Sequence, residues 1–148
     1  MLALQDVFDM RDDNLFKAAS GLHGGIGGMH DVCGALLGAS MMLGLKYGRG
    51  SEETDNLEKK EDSTQLVSQL YKWFKKEFGS VKCRIICARF KKEINDEIDA
   101  PGQAELPSED RLHAKCDELA AKTAARTAEM LWDTTEEEKE KEVLKNYR

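Results

Sequence analysis

The residues of this chain best suited to chemistry are its four cysteines, Cys33, Cys83, Cys87 and Cys116. A thiolate is a nucleophile, a soft metal ligand and half of a disulfide. Separated cysteines that converge in a fold can therefore cycle between thiols and a disulfide, or coordinate a metal ion or iron–sulfur cluster. Spacing narrows the options. Cys83 and Cys87 lie one helical turn apart, about 6 Å with parallel side-chain directions, which suits shared metal coordination better than a mutual disulfide. No Cys-x-x-Cys occurs, which removes the thioredoxin-type motif, the zinc knuckle and covalent c-type haem attachment. His30 with Cys33, and His113 with Cys116, stand three residues apart and could chelate one ion, although surface histidines near helix starts account for them as well. Buried cysteine is also a small hydrophobe, so position has to carry any further role.

Ahead of Cys33 stand five glycines among residues 21–28. Each costs about 1 kcal/mol against alanine in a helix, so a tight loop is expected there. The amides of Gly24, Gly25, Gly27 and Gly28 could present N–H groups to an anionic cofactor or phosphate at the start of the next helix. No Gly-Lys-Ser/Thr follows and no strand precedes, so the phosphate-binding fingerprint is absent, and close packing is the simpler use of the glycines. No Ser-His-Asp arrangement, carboxylate pair or zinc-protease histidine motif supports a hydrolase.

The elements that must position the sulfurs read as helices. Short helices are expected from residue 2 to about 10 and from 12 to about 19, the second capped by Asp12. A helix from 32 to about 46, capped by Asp31 and apolar on all sides, is expected to be the buried central one. Residues 49–62 read as a polar, solvated connection. From Ser63, the residues Leu66, Val67, Leu70, Tyr71, Phe74 and Phe78 recur at helical steps until Gly79 stops the helix. Ser80 opens a shorter helix on which Cys83, Ile86, Cys87 and Phe90 share a face. Residues 91–107, charged and holding both prolines, read as a surface loop. Ser108 starts the last long helix, whose Leu112, Cys116, Leu119, Thr123, Thr127, Met130 and Leu131 form a core stripe. Residues 134–148, opened by a capping box at Thr135, read as a separate solvated terminal helix. The expectation is an all-α, single-domain bundle of about five to seven helices over residues 1–148.

A chain of 148 residues can bury a core without disulfide staples. Its 34% charged residues and formal net charge of -6 oppose attraction to phosphate backbones, so nucleic acid is not an expected partner. The charge-free run from 32 to 45 falls short of the roughly 20 residues that cross a bilayer. No basic leader or long apolar segment follows Met1, so no export signal is expected and a cytoplasmic, thiol-reducing setting is.

Residues 21–28, followed by Cys33-Gly34-Ala35-Leu36-Leu37-Gly38, resemble the Cys-Gly-Ala-x-x-Gly signature of the C_GCAxxG_C_C proteins. Phe78-Gly79-Ser80-Val81-Lys82-Cys83 is similar to that family's Phe-Gly-Ser segment leading to a cysteine. Cys116 resembles its last cysteine before an alanine-rich helix. The resemblance implies a small helical protein with redox activity, partnered with electron-transfer systems. It carries over Cys33, Cys83 and Cys116, whereas Cys87 has no counterpart in it and the family's early cysteine would fall before Met1.

Two functions follow. In the first, Cys33, Cys83 and Cys116 carry redox chemistry, Cys87 joins them as a metal or iron–sulfur donor, and Cys33 is the nucleophile because a helix N-terminus stabilises its thiolate. Its partners would be a redox protein and a second copy of the chain. In the second, the cysteines fill a core, and Leu36, Met41, Met42 and Leu45 form the dimer interface of a non-catalytic interaction module.

Overall fold

A computed structural model of the chain describes residues 1–98 and 108–146, and among these it holds six α-helices: α1 (Leu2–Val7), α2 (Asp13–Ala19), α3 (Gly34–Tyr47), α4 (Leu57–Phe78), α5 (Cys83–Ile98) and α6 (Ser108–Asn146). Local chemistry explains most of the boundaries. The Asp12 carboxylate accepts from the Leu15 amide at 2.9 Å and caps α2, as its sequence position suggests. Asn56 does the same for α4 through the Lys59 amide at 3.0 Å. Gly79 ends α4 at φ 70°, in the left-handed region, and Arg89 donates to the freed Phe78 carbonyl at 3.0 Å.

α3 packs against α4 and α6, and α6 also packs against α5. Met42 and Leu43 of α3 meet Leu70 and Phe74 of α4, Ile86 and Phe90 of α5, and Leu119 and Leu131 of α6 in one core. Every residue of α3 except Leu45 is buried or half-buried, which makes it the central helix. Buried hydroxyls on α6 stay satisfied within the helix: Thr123 donates to the Leu119 carbonyl at 2.8 Å and Thr127 to the Thr123 carbonyl at 2.7 Å. Buried Gln5 ties α1 to the cap of α2 by donating to the Asp12 carbonyl at 3.2 Å.

Several boundaries differ from the sequence expectation. α1 stops at Val7 rather than near residue 10. α3 starts at Gly34 with Cys33 at its N-cap, because the Asp31 carboxylate is taken by an ion pair with Lys82 and is unavailable as a cap. Within 49–62 there is a short 3-10 turn, Ser51–Glu53, and α4 already begins at Leu57; its first turns are exposed on every side and so show no apolar stripe. Within 91–107 the helix continues to Ile98, since Ile94 is buried while Lys91, Lys92 and Asp96 face solvent. Pro101 and Pro107 lie outside the described residues. α6 runs through Thr135 without a break, so the terminal segment prolongs it to Asn146, and residues 147–148 lie outside the description. Leu36 and Met42, assigned above to a dimer interface, are 3% and 0% exposed inside the core, because α3 is covered by α4 and α6. Tyr71 is exposed, and Trp73 instead flanks the α4 stripe, edge-on to Phe74 and Phe78. No helix among the described residues is long and apolar enough to cross a membrane.

Leu131, fully buried on α6, should be a keystone of this packing. Leu131→Ala is expected to lower unfolding free energy in urea by about 2–5 kcal/mol. Trp132→Ala, at the neighbouring and largely exposed position, should change it by less than about 0.5 kcal/mol.

Candidate functional site

Two short segments set the site. Residues 31–33 and 81–83, each leading into a helix, pair as an antiparallel bridge between Val32 and Lys82. The Cys33 amide donates to the Val81 carbonyl at 2.9 Å, and the Cys83 amide donates to the Asp31 carbonyl at 2.6 Å. Cys33, at the N-cap of α3 and paired with Val81, and Cys83, the first residue of α5 and paired with Asp31, are thereby brought to one bridge and one cavity although 50 positions separate them. Cys87 follows one turn along α5, and Cys116 faces in from α6.

The glycine loop completes the frame. From Gly24 to Gly28 every residue has a positive φ, between 58° and 77°, and Ile26 at 65° is the one side-chain-bearing member of the run. Glycine tolerates that region and a β-branched residue does not, so Ile26 marks strain held by its neighbours. The loop uses its own carbonyls: the Gly27 amide donates to Gly21 at 2.9 Å, and that of Gly28 to His23 at 3.0 Å. Gly24 and Gly25, by contrast, line the cavity described below. Gly25 passes directly under Cys83, where a Cβ would stand 2.9 Å from the Cys83 Cβ and from the Asp31 amide nitrogen. The Arg84 amide closes the arrangement by donating to the His30 carbonyl at 2.9 Å.

All four cysteines are free, half-buried thiols, and all line one cavity of about 600 Å³ together with His23, His30 and His113. Cys83 Sγ lies 3.8 Å from Cys87 Sγ and 3.6 Å from His30 Nδ1. Cys87 also lies within electrostatic reach of Cys116 on α6 and of Cys33 at the head of α3. Cys87, the sulfur without a counterpart in the resemblance, is thus the one that acts on each of the other three. Its signal in the sequence was the shared face with Cys83, but the cross-helix approach to Cys116 has none. His30, open to a blander reading from sequence, stands in contact with Cys83.

Burial dominates the electrostatics. Cys83 is pushed up to about 12, first by desolvation and then by the hydrogen bond and charge of Cys87. Cys116 is pushed up to about 11, first by desolvation and then by Cys87. Cys33 sits where a helix N-terminus would favour its thiolate. The Ala35 and Leu36 amides do pull its pKa down without forming a full cap hydrogen bond, but desolvation is larger and the net shift is upward. The expectation of a lowered pKa at Cys33 is corrected on that ground. Among the described residues, no three His, Cys, Asp or Glu side chains group in a way that would hold a metal ion.

A scan of protein families matches residues 1–130 to the family described as "Putative redox-active protein (C_GCAxxG_C_C)". Neither the curated proteins nor the solved structures contain a match to this chain.

Because Cys83 and Cys116 titrate above the ordinary thiol value when folded, the unfolded chain loses their protons first as pH rises. The stability they contribute is intact below a pH of about 8.5 and is lost as the pH climbs through the folded values of about 11 and about 12. The urea midpoint should fall across that window, and fall less steeply in Cys116→Ser. Gly25→Ala should destabilise the fold by about 1–3 kcal/mol and speed alkylation of the thiols, as the loop is forced off Cys83.

Proposed function

The chain belongs to the C_GCAxxG_C_C family, and on that premise we propose that it is a thiol/disulfide redox protein whose central sulfur is Cys87. The observation that carries this reading is the position of Cys87, in thiol contact with Cys83 on its own helix and, across the shared cavity lining, within electrostatic reach of Cys116 on the next. Oxidation breaks two S–H bonds and forms one S–S bond, and two protons and two electrons leave. The pair across α5 and α6, Cys87 with Cys116, suits this better than Cys83 with Cys87, whose side chains run parallel one helical turn apart. Cys83 then serves as the exchanging thiol, with His30 Nδ1 at 3.6 Å placed to take its proton. Cys33 shares the cluster from the α3 side and adds to the charge that discourages more than one thiolate at a time.

Electrons would pass to a redox partner at the open side of the cavity, and a reducing compartment such as the cytoplasm would return the pair to thiols. Metal or iron–sulfur ligation by Cys33, Cys83, Cys87 and Cys116 is the other use of such sulfurs. The described geometry favours sulfur–sulfur chemistry over chelation, since no group of three donors is drawn up around a common point.

Mild oxidation of the reduced protein, followed by thiol titration and mass mapping of unreduced fragments, tests the reading. Two thiols should disappear for each disulfide formed, with Cys87 in the linked fragments, and Cys87→Ser should retain the fold but lose at least about nine-tenths of intramolecular disulfide formation. Four thiols still titratable after oxidation, or a link that omits Cys87, would overturn it.

A further inference from the structure

We propose that the cavity against the four thiols binds an uncharged, hydrophobic organic molecule. The proposal rests on the thiol reading only in taking that molecule to be what the sulfurs act on; its binding stands without that step. At about 600 Å³ the cavity falls within the range of small-molecule sites. Its lining decides the chemical class. Charged residues are 34% of this chain, yet among the described residues no Asp, Glu, Lys or Arg lines the cavity. A charged ligand would give up its hydration there and meet no counter-charge, whereas an apolar one gains by leaving water.

The walls are Phe16, Leu22, Ile86, Leu112 and Leu119, and the polar groups are few: the thiols, Ser20 and the three histidines. Such a lining holds an apolar body and orients it through one or two neutral hydrogen bonds. The wall formed by α2 is a second, independent sign. None of its residues is fully buried, and Phe16 lines the cavity while remaining 41% exposed, so this side packs less tightly than the core of α3, α4 and α6. An apolar occupant would cover the aromatic face that the chain leaves open.

The test uses the reduced full chain, a neutral arylnaphthylamine dye whose emission rises in apolar surroundings, and the sulfonated form of the same dye. The neutral dye should bind saturably with one site per chain and slow alkylation of the thiols, and the sulfonated dye should bind at least about tenfold more weakly. Ala120→Glu, at an exposed lining position on α6, should weaken the neutral dye at least about tenfold with an unchanged circular dichroism spectrum. Should that variant fold poorly, Phe16→Asp makes the same test from the α2 wall. Absence of saturable binding, equal binding of the two dyes, indifference to both substitutions, or a bound metal that the dye does not displace would each overturn the proposal. Dye binding without disulfide formation upholds it and removes the thiol/disulfide reading; disulfide formation without dye binding does the reverse.

Discussion

The site depends on the two-hydrogen-bond bridge between residues 31–33 and 81–83. The first amides of a helix have no partner within it and must be satisfied elsewhere. Here Cys83, at the start of α5, donates to Asp31, and Cys33, at the N-cap of α3, donates to Val81, so two helix entrances satisfy each other. The exchange is what sets two sulfurs from distant parts of the chain on one wall. It also requires the glycine loop, because the backbone must pass under Cys83 where any Cβ would collide. The positive-φ run is then a consequence of placing a thiol, and the strain at Ile26 is held by the hydrogen bonds that return residues 30 and 31 to Gly24 and Gly25.

Once the sulfurs are gathered, two opposing effects act on them. Helix N-termini favour thiolate, and Cys33 has two backbone amides pulling in that direction. Desolvation and the nearness of other thiols favour the neutral form, and for Cys33, Cys83 and Cys116 desolvation is the larger. A cluster of this kind ionises one member at a time, since each thiolate raises the cost of the next. Any covalent step must therefore start by removing a proton from a crowded, apolar site, which gives the contact between His30 and Cys83 its chemical interest.

Most of this scaffold can be read in the residues. Asp12 and Gly79 act as the cap and stop that their types suggest, the 66, 70, 74 and 78 series packs inward, and Cys116 shares a stripe with Leu119, Thr123 and Thr127. The Cys-Gly-Ala-x-x-Gly and Phe-Gly-Ser contexts also mark the two ends of the bridge. The misreadings share a cause. Residues 57–62 and 91–96 are helical but mostly solvated, and charge without an apolar stripe resembles a loop along the sequence. Asp31 looked like a cap because its partner, Lys82, is remote in sequence. Cys87 could be placed on a face with Cys83, but its approach to Cys116 depends on how α5 lies against α6, which no local pattern encodes.

Reactive cysteines usually owe their thiolate to a neighbouring cation. Here the two cations that flank Cys83 in the chain take another course. Lys82 and Arg84 both turn to the Asp31 carboxylate, and Lys82 holds that carboxyl below the usual carboxylate range. Their positive charge is spent locally against Asp31, and neither side chain lines the cavity. The sulfur cluster thus faces a cavity that, among the described residues, no Asp, Glu, Lys or Arg lines. The ionisation of its thiols is then governed first by desolvation and by the other sulfurs, with the adjoining charge of Asp117 the smallest of the causes that raise Cys116. That makes packing around the cavity, more than any single ionic partner, the property that tunes the thiols.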